Sequence, residues 1–211
     1  MVVYLLSTSL GEVLVSIGSL VIGLPLPLAP VQILWVNLVT DTSMVIPLGL
    51  ETGEKRNMNK PPQAADAPLL SKFMVSRIFL IASLMAGLTL YLYITYDQAY
   101  GHEYARTIAF CALVTMQWAS AFVARSDYEP LWRRLRRVNG AFYVGLFVAI
   151  CLQTFAVFGP LGQMLHVTTI SLGDLAYVSL LSFAIPIVVV EIHKWIGRTY
   201  FNKGSQNVTQ R

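Results

Sequence analysis

The chain has 211 residues, of which 55% are hydrophobic and only 12% are charged. Soluble domains carry about 25% charged residues, so this composition excludes an ordinary soluble domain and indicates an integral membrane protein. The formal net charge of +4 does not indicate a nucleic-acid partner, because the basic residues flank apolar segments.

Six segments are long and apolar enough to cross a bilayer as helices, which takes about 20 residues. They are residues 3–23, 31–50, 73–96, 105–124, 140–159 and 175–196. We therefore expect an all-α membrane protein, a single transmembrane domain over residues 1–211 that forms a bundle of six transmembrane helices in contact with membrane lipid.

The connections between the segments differ in character. Residues 24–30 contain Pro25, Pro27 and Pro30, which forbid a continuous helix and predict a tight hairpin. A polar loop, 52–71, follows the second segment, and a short connector, 97–104, follows the third. A basic loop, 126–139, follows the fourth segment, and residues 160–174 join the last two.

The basic residues lie almost entirely on one side of this arrangement. Arg106 alone falls on the other side, and the remaining 14 of the 15 lysines and arginines lie in or beside the loops after the second and fourth segments or in the C-terminal region. The positive-inside rule then places both termini in the cytoplasm, with a plasma membrane or bacterial inner membrane as the default location.

The second segment carries polar residues where lipid would favour apolar ones. Asn37, Thr40 and Asp41 lie near its middle, and Pro47 follows. Residues three and four apart share a helix face, and a carboxylate in the bilayer centre costs at least about 2.5–3.5 kcal/mol. A proline inside a helix frees backbone carbonyls. We expect this helix to be partly unwound around Asn37–Pro47, with a cation bound beside Asp41.

The first and fourth segments supply further oxygen atoms. Glu12 lies in a polar stripe with Ser9, Ser16 and Ser19, and Gln117 lies within an apolar run. The short hairpin allows Glu12 and Asp41 to face each other, and such oxygens suit Ca²⁺, Na⁺ or K⁺. The alternative interpretation is structural, since membrane serines often bond the carbonyl four residues earlier and glutamine can join two helices.

Several stretches resemble the C-terminal part of type II cation-transporting P-type ATPases. They are YLLSTSLGEVL at 4–14, GLPLPLAPVQILWVNLVTDTSMVIPLGLE at 23–51, NKPP at 59–62, LVTMQWASAF at 113–122 and EIHKWIGR at 191–198. The resemblance covers essentially the whole chain, and it implies that the six segments are membrane helices five to ten of such a pump.

The resemblance also implies a set of ligands for the transported ion. These are Glu12 in helix five, Asn37, Thr40 and Asp41 in helix six, and Gln117 in helix eight. Ser9 takes a position where sarcoplasmic-reticulum-type calcium pumps carry Asn, and Gln117 one where they carry Glu. The QWA run is similar to that of sodium/potassium pumps, which however carry an acid where Asn37 stands. Calcium transport is the leading expectation, with proton counter-transport by the emptied carboxyls as a corollary.

No stretch resembles the family's phosphorylation motif, nucleotide-binding region or helix four. The resemblance therefore implies a fragment whose helices one to four and cytoplasmic domains would be supplied in the same polypeptide or by a separate chain. Mg-ATP would act only through those portions, and no catalytic or cofactor-binding residue is expected here. The alternatives are a Na⁺/K⁺ or H⁺ pump, a stand-alone six-helix channel or secondary transporter, and a non-catalytic membrane scaffold.

Overall fold

The computed structural model describes residues 1–51, 70–126, 131, 133 and 139–208, with side chains to residue 197. The described residues form six long helices: α1 (Val2–Ile22), α2 (Pro30–Gly49), α3 (Lys72–Tyr100), α4 (His102–Ala124), α5 (Gly140–Phe158) and α6 (Leu172–Val208). All six contain a stretch apolar and long enough to cross a membrane, and this part of the chain contains no strand. The predicted all-α membrane bundle is confirmed.

Parts of the predicted loops lie outside the described residues. These are nearly all of the polar loop after α2, including NKPP at 59–62, most of the basic loop after α4, and residues 209–211.

The hairpin between α1 and α2 follows from one glycine and the prolines. Gly23 adopts a left-handed conformation with φ of 77°. Its N–H donates to the Leu20 carbonyl, and the Leu24 N–H donates to the Ser19 carbonyl, which is the pairing of a Schellman motif. Pro30 then occupies the first position of α2, where its missing N–H has no cost.

The connection between α3 and α4 is shorter than expected. A connector over residues 97–104 is predicted, but α3 continues to Tyr100 and α4 begins at His102, so that Gly101 alone separates them. Gly101 has a φ of 87°, which only glycine adopts readily. Rings of Tyr96, Tyr100 and Tyr104 stack across this junction, and their packing explains why the flanking residues stay helical.

Helix α2 has three parts: an α-helical turn over Pro30–Trp35, a π-helical segment over Val36–Asp41 and an α-helical part over Thr42–Gly49. We expected α2 to be partly unwound around Asn37–Pro47. The structure departs from the α-helix only over Val36–Asp41, and Pro47 lies in the α-helical part. A π-helix joins each N–H to the carbonyl five residues earlier. The helical turn is wider than in an α-helix, but the backbone N–H and C=O groups remain hydrogen-bonded. The segment therefore avoids the free-energy cost of several kcal/mol for each unpaired backbone group in lipid.

Helix α4 is the centre of the bundle. Of the 18 residues in its most apolar stretch, 83% are buried, whereas in the corresponding stretch of α6 only 22% are buried. Helices α3 and α6 pack against α4, α1 packs against α3, and α5 packs against the last part of α2. Small side chains on α4 allow this close packing; those fully buried include Ala105, Ala109, Ala112, Ala119 and Ala121.

One end of the bundle is held together by charged residues. Arg125, just after α4, donates two hydrogen bonds to the Glu51 carboxylate after α2, at 3.1 and 3.2 Å. Asn139, before α5, donates to the same carboxylate at 2.9 Å. Lys194 on α6 is buried and donates to the Val123 carbonyl at 2.8 Å. We call this the basic end of the bundle.

Candidate cation-binding site between the helices

Glu12 lies where three helices meet. Its carboxylate is buried, with 5% of the residue exposed. One oxygen accepts a hydrogen bond from Asn37 Nδ2 on α2 at 2.7 Å, and the other accepts one from Gln117 Nε2 on α4 at 2.9 Å. Three of the residues predicted from sequence are thus in direct contact, through amide groups that bracket one carboxylate.

Asp41 has a separate set of partners. It is 4% exposed, and its Oδ1 accepts a hydrogen bond from the Tyr4 hydroxyl on α1 at 3.0 Å. Thr8 lies one turn after Tyr4 on the same face of α1, and its hydroxyl donates to the Tyr4 and Leu5 carbonyls of its own helix. Asp41 is near enough to Glu12 for an electrostatic interaction between the two acids.

The sequence analysis did not single out Tyr4 and Thr8. The signal was present, because Tyr4, Thr8 and Glu12 recur every four residues and therefore share one face of α1. That face is buried. Of the serines in the predicted stripe, Ser16 donates to the Glu12 carbonyl at 3.0 Å and Ser19 donates to the Ser16 carbonyl at 2.8 Å, so both hydroxyls bond to their own helix.

The other two predicted residues, Thr40 and Ser9, form no hydrogen bond with either acid. Thr40 is buried and precedes Asp41 in the π-helical segment. Ser9 lies on the exposed side of α1, one turn before Glu12, and Asn37 is also exposed although its amide reaches Glu12. The exposed side chains of Ser9 and Asn37 flank the buried Glu12.

Within the described part of the chain, the side chains that donate hydrogen bonds to the Glu12 and Asp41 carboxylates are all uncharged. They are the amides of Asn37 and Gln117 and the hydroxyl of Tyr4, and no lysine or arginine in that part of the chain forms an ion pair with either acid. In addition, Gln117 is completely buried and its Oε1 accepts no hydrogen bond from any described residue. Two carboxylates without a counter-charge, together with a free amide oxygen, form the kind of environment that attracts a hard cation.

The donor set is composed of oxygen atoms. Among the described residues, no three His, Cys, Asp or Glu side chains come together. A cation bound beside Glu12 and Asp41 would therefore take further ligands from amide, hydroxyl or backbone oxygens, or from another part of the protein. Such a set favours Ca²⁺ and the alkali cations over Zn²⁺ or copper.

Comparison with known proteins places these helices in a family. Residues 25–196 match the family model described as "Cation transporting ATPase, C-terminus". The chain is 34% identical over 177 residues to "Calcium-transporting ATPase" of Bacillus subtilis, covering 81% of this chain and 19% of that protein. It is 30% identical over 190 residues to "Probable cation-transporting ATPase F" of Mycobacterium tuberculosis, covering 89% of this chain and 21% of that protein.

A third relative is "Calcium-transporting ATPase 1" of Bacillus cereus, which is 28% identical over 210 residues, covering 92% of this chain and 24% of that protein. The chain thus spans between about a fifth and a quarter of the length of the curated relatives it matches. Together with the six apolar helices, these matches show that the chain belongs to the cation-transporting ATPase C-terminus family, as a C-terminal membrane domain of a P-type ATPase.

Proposed function

We propose that this domain binds the transported cation of an ATP-driven pump, and that the cation is Ca²⁺. The observation that carries the proposal is the setting of Glu12 and Asp41, which are buried between α1, α2 and α4 with uncharged partners only among the described residues. A divalent ion would balance the two carboxylates. The names of two relatives, both calcium-transporting ATPases, support the choice of ion.

Each proposed ligand has a distinct part in holding the ion. Glu12 and Asp41 supply charge, whereas Asn37, Thr40 and Gln117 supply neutral oxygens, and Ser9 contributes from the exposed side. The Asn37 and Gln117 amides now donate to Glu12, so their oxygens are kept close to its carboxylate. The π-helical turn over Val36–Asp41 lets the spacing of these side chains change by a small rotation, which is a means of releasing the ion.

The domain would act with a portion that is phosphorylated and binds Mg-ATP, either in the same polypeptide or as a separate chain. That portion would contain further membrane helices and complete the six to eight oxygens that Ca²⁺ prefers. Phosphorylation would move the helices and separate the ligands. When the ion leaves, protons would neutralise the carboxyls and be carried in the opposite direction. We propose that the domain lies in a plasma membrane or a bacterial inner membrane. Both termini and the basic end of the bundle would then face the cytoplasm.

The decisive experiment is the Asp41→Asn substitution in the complete pump, assayed by uptake of radioactive Ca²⁺ into vesicles and by Ca²⁺-dependent phosphorylation. Loss of an outer partner of a metal ligand alone weakens metal binding about 10- to 100-fold, so removal of a ligand charge should weaken Ca²⁺ activation by at least about 100-fold. Unchanged Ca²⁺ activation would remove Asp41 from the site.

Asp174→Asn is the matched control. Asp174 is also an acid that accepts tyrosine hydrogen bonds, from Tyr96 and Tyr104, but it lies beside the α3–α4 junction. Its substitution should leave Ca²⁺ activation unchanged. An equal loss in both variants would indicate a general defect in folding and contradict the assignment.

A monovalent cation or proton pump is the second candidate, and the neutral Gln117 favours it. A site with only two acids can hold a lower total charge than one with a third acid at this position. Competition between Ca²⁺, Na⁺, K⁺ and H⁺ for phosphorylation of the complete pump separates the two candidates. Stimulation by Na⁺ or K⁺ without Ca²⁺ would replace the calcium assignment.

A further inference from the structure

Helix α5 contacts α2 on both sides of the π-helical segment. Trp35, the last residue before the segment, donates from Nε1 to the Gln153 Oε1 atom on α5 at 3.1 Å, and Gln153 is only 7% exposed. Ser43, two residues after the segment, lies so close to α5 that a Cβ on Gly145 would be 2.5 Å from its carbonyl oxygen. Helix α5 therefore holds α2 at one point before Val36–Asp41 and at another point after it.

The π-helical segment is what lets both of these points face α5. Trp35 and Ser43 are eight residues apart on α2, and Gly145 and Gln153 are eight residues apart on α5. In an unbroken α-helix, two residues eight apart point in directions that differ by about 80°. A π-helical turn takes up about one residue more than an α-helical turn, which reduces this difference to about 20°.

The residues inside the segment make their contacts with α1 instead. Asn37 donates to the Glu12 carboxylate at 2.7 Å, and Asp41 accepts from the Tyr4 hydroxyl at 3.0 Å. If the segment became α-helical, the parts of α2 before and after it would rotate relative to each other by about 100°. Either a contact with α5 or a hydrogen bond with α1 would then be lost. The two neighbouring helices together thus fix the π-helical form.

We propose that Gln153 is a positioning residue for the cation site. By accepting the hydrogen bond from Trp35, it holds the segment in the form in which Asn37 and Asp41 reach their partners on α1. This hydrogen bond is directional, whereas the close approach at Gly145 only limits a distance. The inference rests on the proposed function, in which Asn37 and Asp41 bind the cation, and it makes the affinity for the cation depend on a side chain of α5.

The first measurement reports the form of the segment and needs no cation. Spin labels on Leu34→Cys and Leu50→Cys, both exposed positions, would be about 24 Å apart along α2 at about 1.5 Å per residue. The exposed Cys151 is replaced by serine, and the buried Cys111 stays. In the full chain in detergent, pulsed electron paramagnetic resonance should show that Gln153→Met shifts the distance by a few ångströms or adds a second distance. An unchanged distance distribution would overturn the proposal.

Thr154→Val is the matched control. Thr154 is the next residue on α5 and is exposed, and its hydroxyl donates to the Ile150 carbonyl of its own helix at 2.8 Å. Its substitution should leave the distance unchanged, and an equal shift in both variants would indicate a general loosening of α5 and contradict the proposal. Trp35→Phe removes the same hydrogen bond from the side of α2, and its result decides the question if Gln153→Met does not fold.

The second measurement uses the complete pump. The Ca²⁺ concentration for half-maximal phosphorylation should rise about three- to tenfold in Gln153→Met, the value of about one hydrogen bond, with the maximal level unchanged because every ligand is retained. Trp35→Phe should have the same effect, and the double variant should be no worse than either single variant. Additive effects, or a lower maximum at an unchanged half-maximal concentration, would indicate a merely structural role and overturn the proposal.

The two measurements separate this inference from the proposed function. If Asp41→Asn leaves Ca²⁺ activation unchanged while Gln153→Met shifts the label distance, α5 holds the segment as inferred, but the segment does not bind Ca²⁺. If Asp41→Asn weakens Ca²⁺ activation while Gln153→Met changes neither the distance nor the half-maximal concentration, the cation site stands and the positioning role of Gln153 is wrong.

Discussion

Asp41 lies inside α2 and Glu51 just after it, yet the first is hydrogen-bonded by a neutral side chain and the second by a charged one. Glu51 is bound by the guanidinium of Arg125 through two hydrogen bonds. Asp41 is bound by the hydroxyl of Tyr4. In the ion pair between Glu51 and Arg125, side-chain exposure is 8% and 0%, so its charges are balanced inside the protein.

The difference separates an acid that holds the fold together from the acids that the proposed function assigns to a cation. An arginine neutralises Glu51 and fixes the ends of α2 and α4 together. The acids between α1, α2 and α4 are positioned by neutral donors, which stabilise a carboxylate without cancelling its charge. The same residue type thus has a structural role at the basic end and a binding role, as proposed, within the membrane.

The largest effect on stability is expected at the basic end. Arg125→Met leaves the Glu51 carboxylate without its guanidinium, and breaking one partner of a buried ion pair costs about 3–5 kcal/mol. Glu12→Gln leaves no partner charge behind, so we expect a cost of only about 1 kcal/mol, the scale of interhelical hydrogen bonds in membranes. Unfolding in detergent, followed by circular dichroism, measures both.

The double variant Arg125→Met with Glu51→Gln sharpens this test. Removing both charges should recover most of the lost stability, because an ion pair replaced as a whole is often nearly neutral. A cycle that shows simple additivity would mean that the two residues do not act as a pair, and the contrast with Asp41 would then fail.

A smaller effect is expected where α5 contacts α2. A Cβ at Gly145 would lie 2.5 Å from the Ser43 carbonyl oxygen and 2.7 Å from Pro47 Cγ, so Gly145→Ala should destabilise the protein by about 1–3 kcal/mol through overpacking. Gly87→Ala on α3 meets no atom within 4 Å and should be neutral or slightly stabilising. Equal unfolding midpoints for the two variants would contradict the close approach of α5 to the last part of α2.

The Tyr4→Phe variant tests the positioning of Asp41. It removes one interhelical hydrogen bond, which in membranes is worth about 0.6–1.7 kcal/mol, and it keeps the buried ring. In the complete pump we expect Ca²⁺ activation to weaken several-fold, with less effect than Asp41→Asn. Tyr93→Phe is the comparison, because it removes a buried tyrosine hydroxyl that pairs with His102 and not with Asp41. Equal loss in both variants would argue against a specific role for Tyr4.

The smallest effect is expected for Ser9→Ala. Ser9 is exposed, so the free energy of unfolding should change by no more than about 0.5 kcal/mol. As a neutral ligand at the edge of the proposed site, its loss should weaken Ca²⁺ activation by about two- to tenfold, the value of one polar contact. Activation identical to that of the unaltered pump would restrict the site to Glu12, Asp41 and their amide neighbours.

Much of the fold could be predicted because its determinants are local. Hydrophobic length alone identifies a membrane helix, since every backbone group in lipid must be bonded within its own segment. The hairpin between α1 and α2 could also be predicted, because each proline restricts the backbone at its own position in the chain. An acid inside an apolar run is equally conspicuous, so Glu12 and Asp41 could be singled out from sequence.

The partners of those acids were decided only by the tertiary structure. The hydrogen bond between Gln117 and Glu12 joins residues that are 105 positions apart in the sequence. The hydrogen bond from Tyr4 to Asp41 depends on how α1 and α2 are rotated about their axes. The π-helical turn in α2 and the single-residue junction at Gly101 were likewise not apparent from local pattern. Helix rotation and depth are set by the packing of small residues around α4, and that packing involves all six helices together, whereas a sequence pattern describes each helix alone.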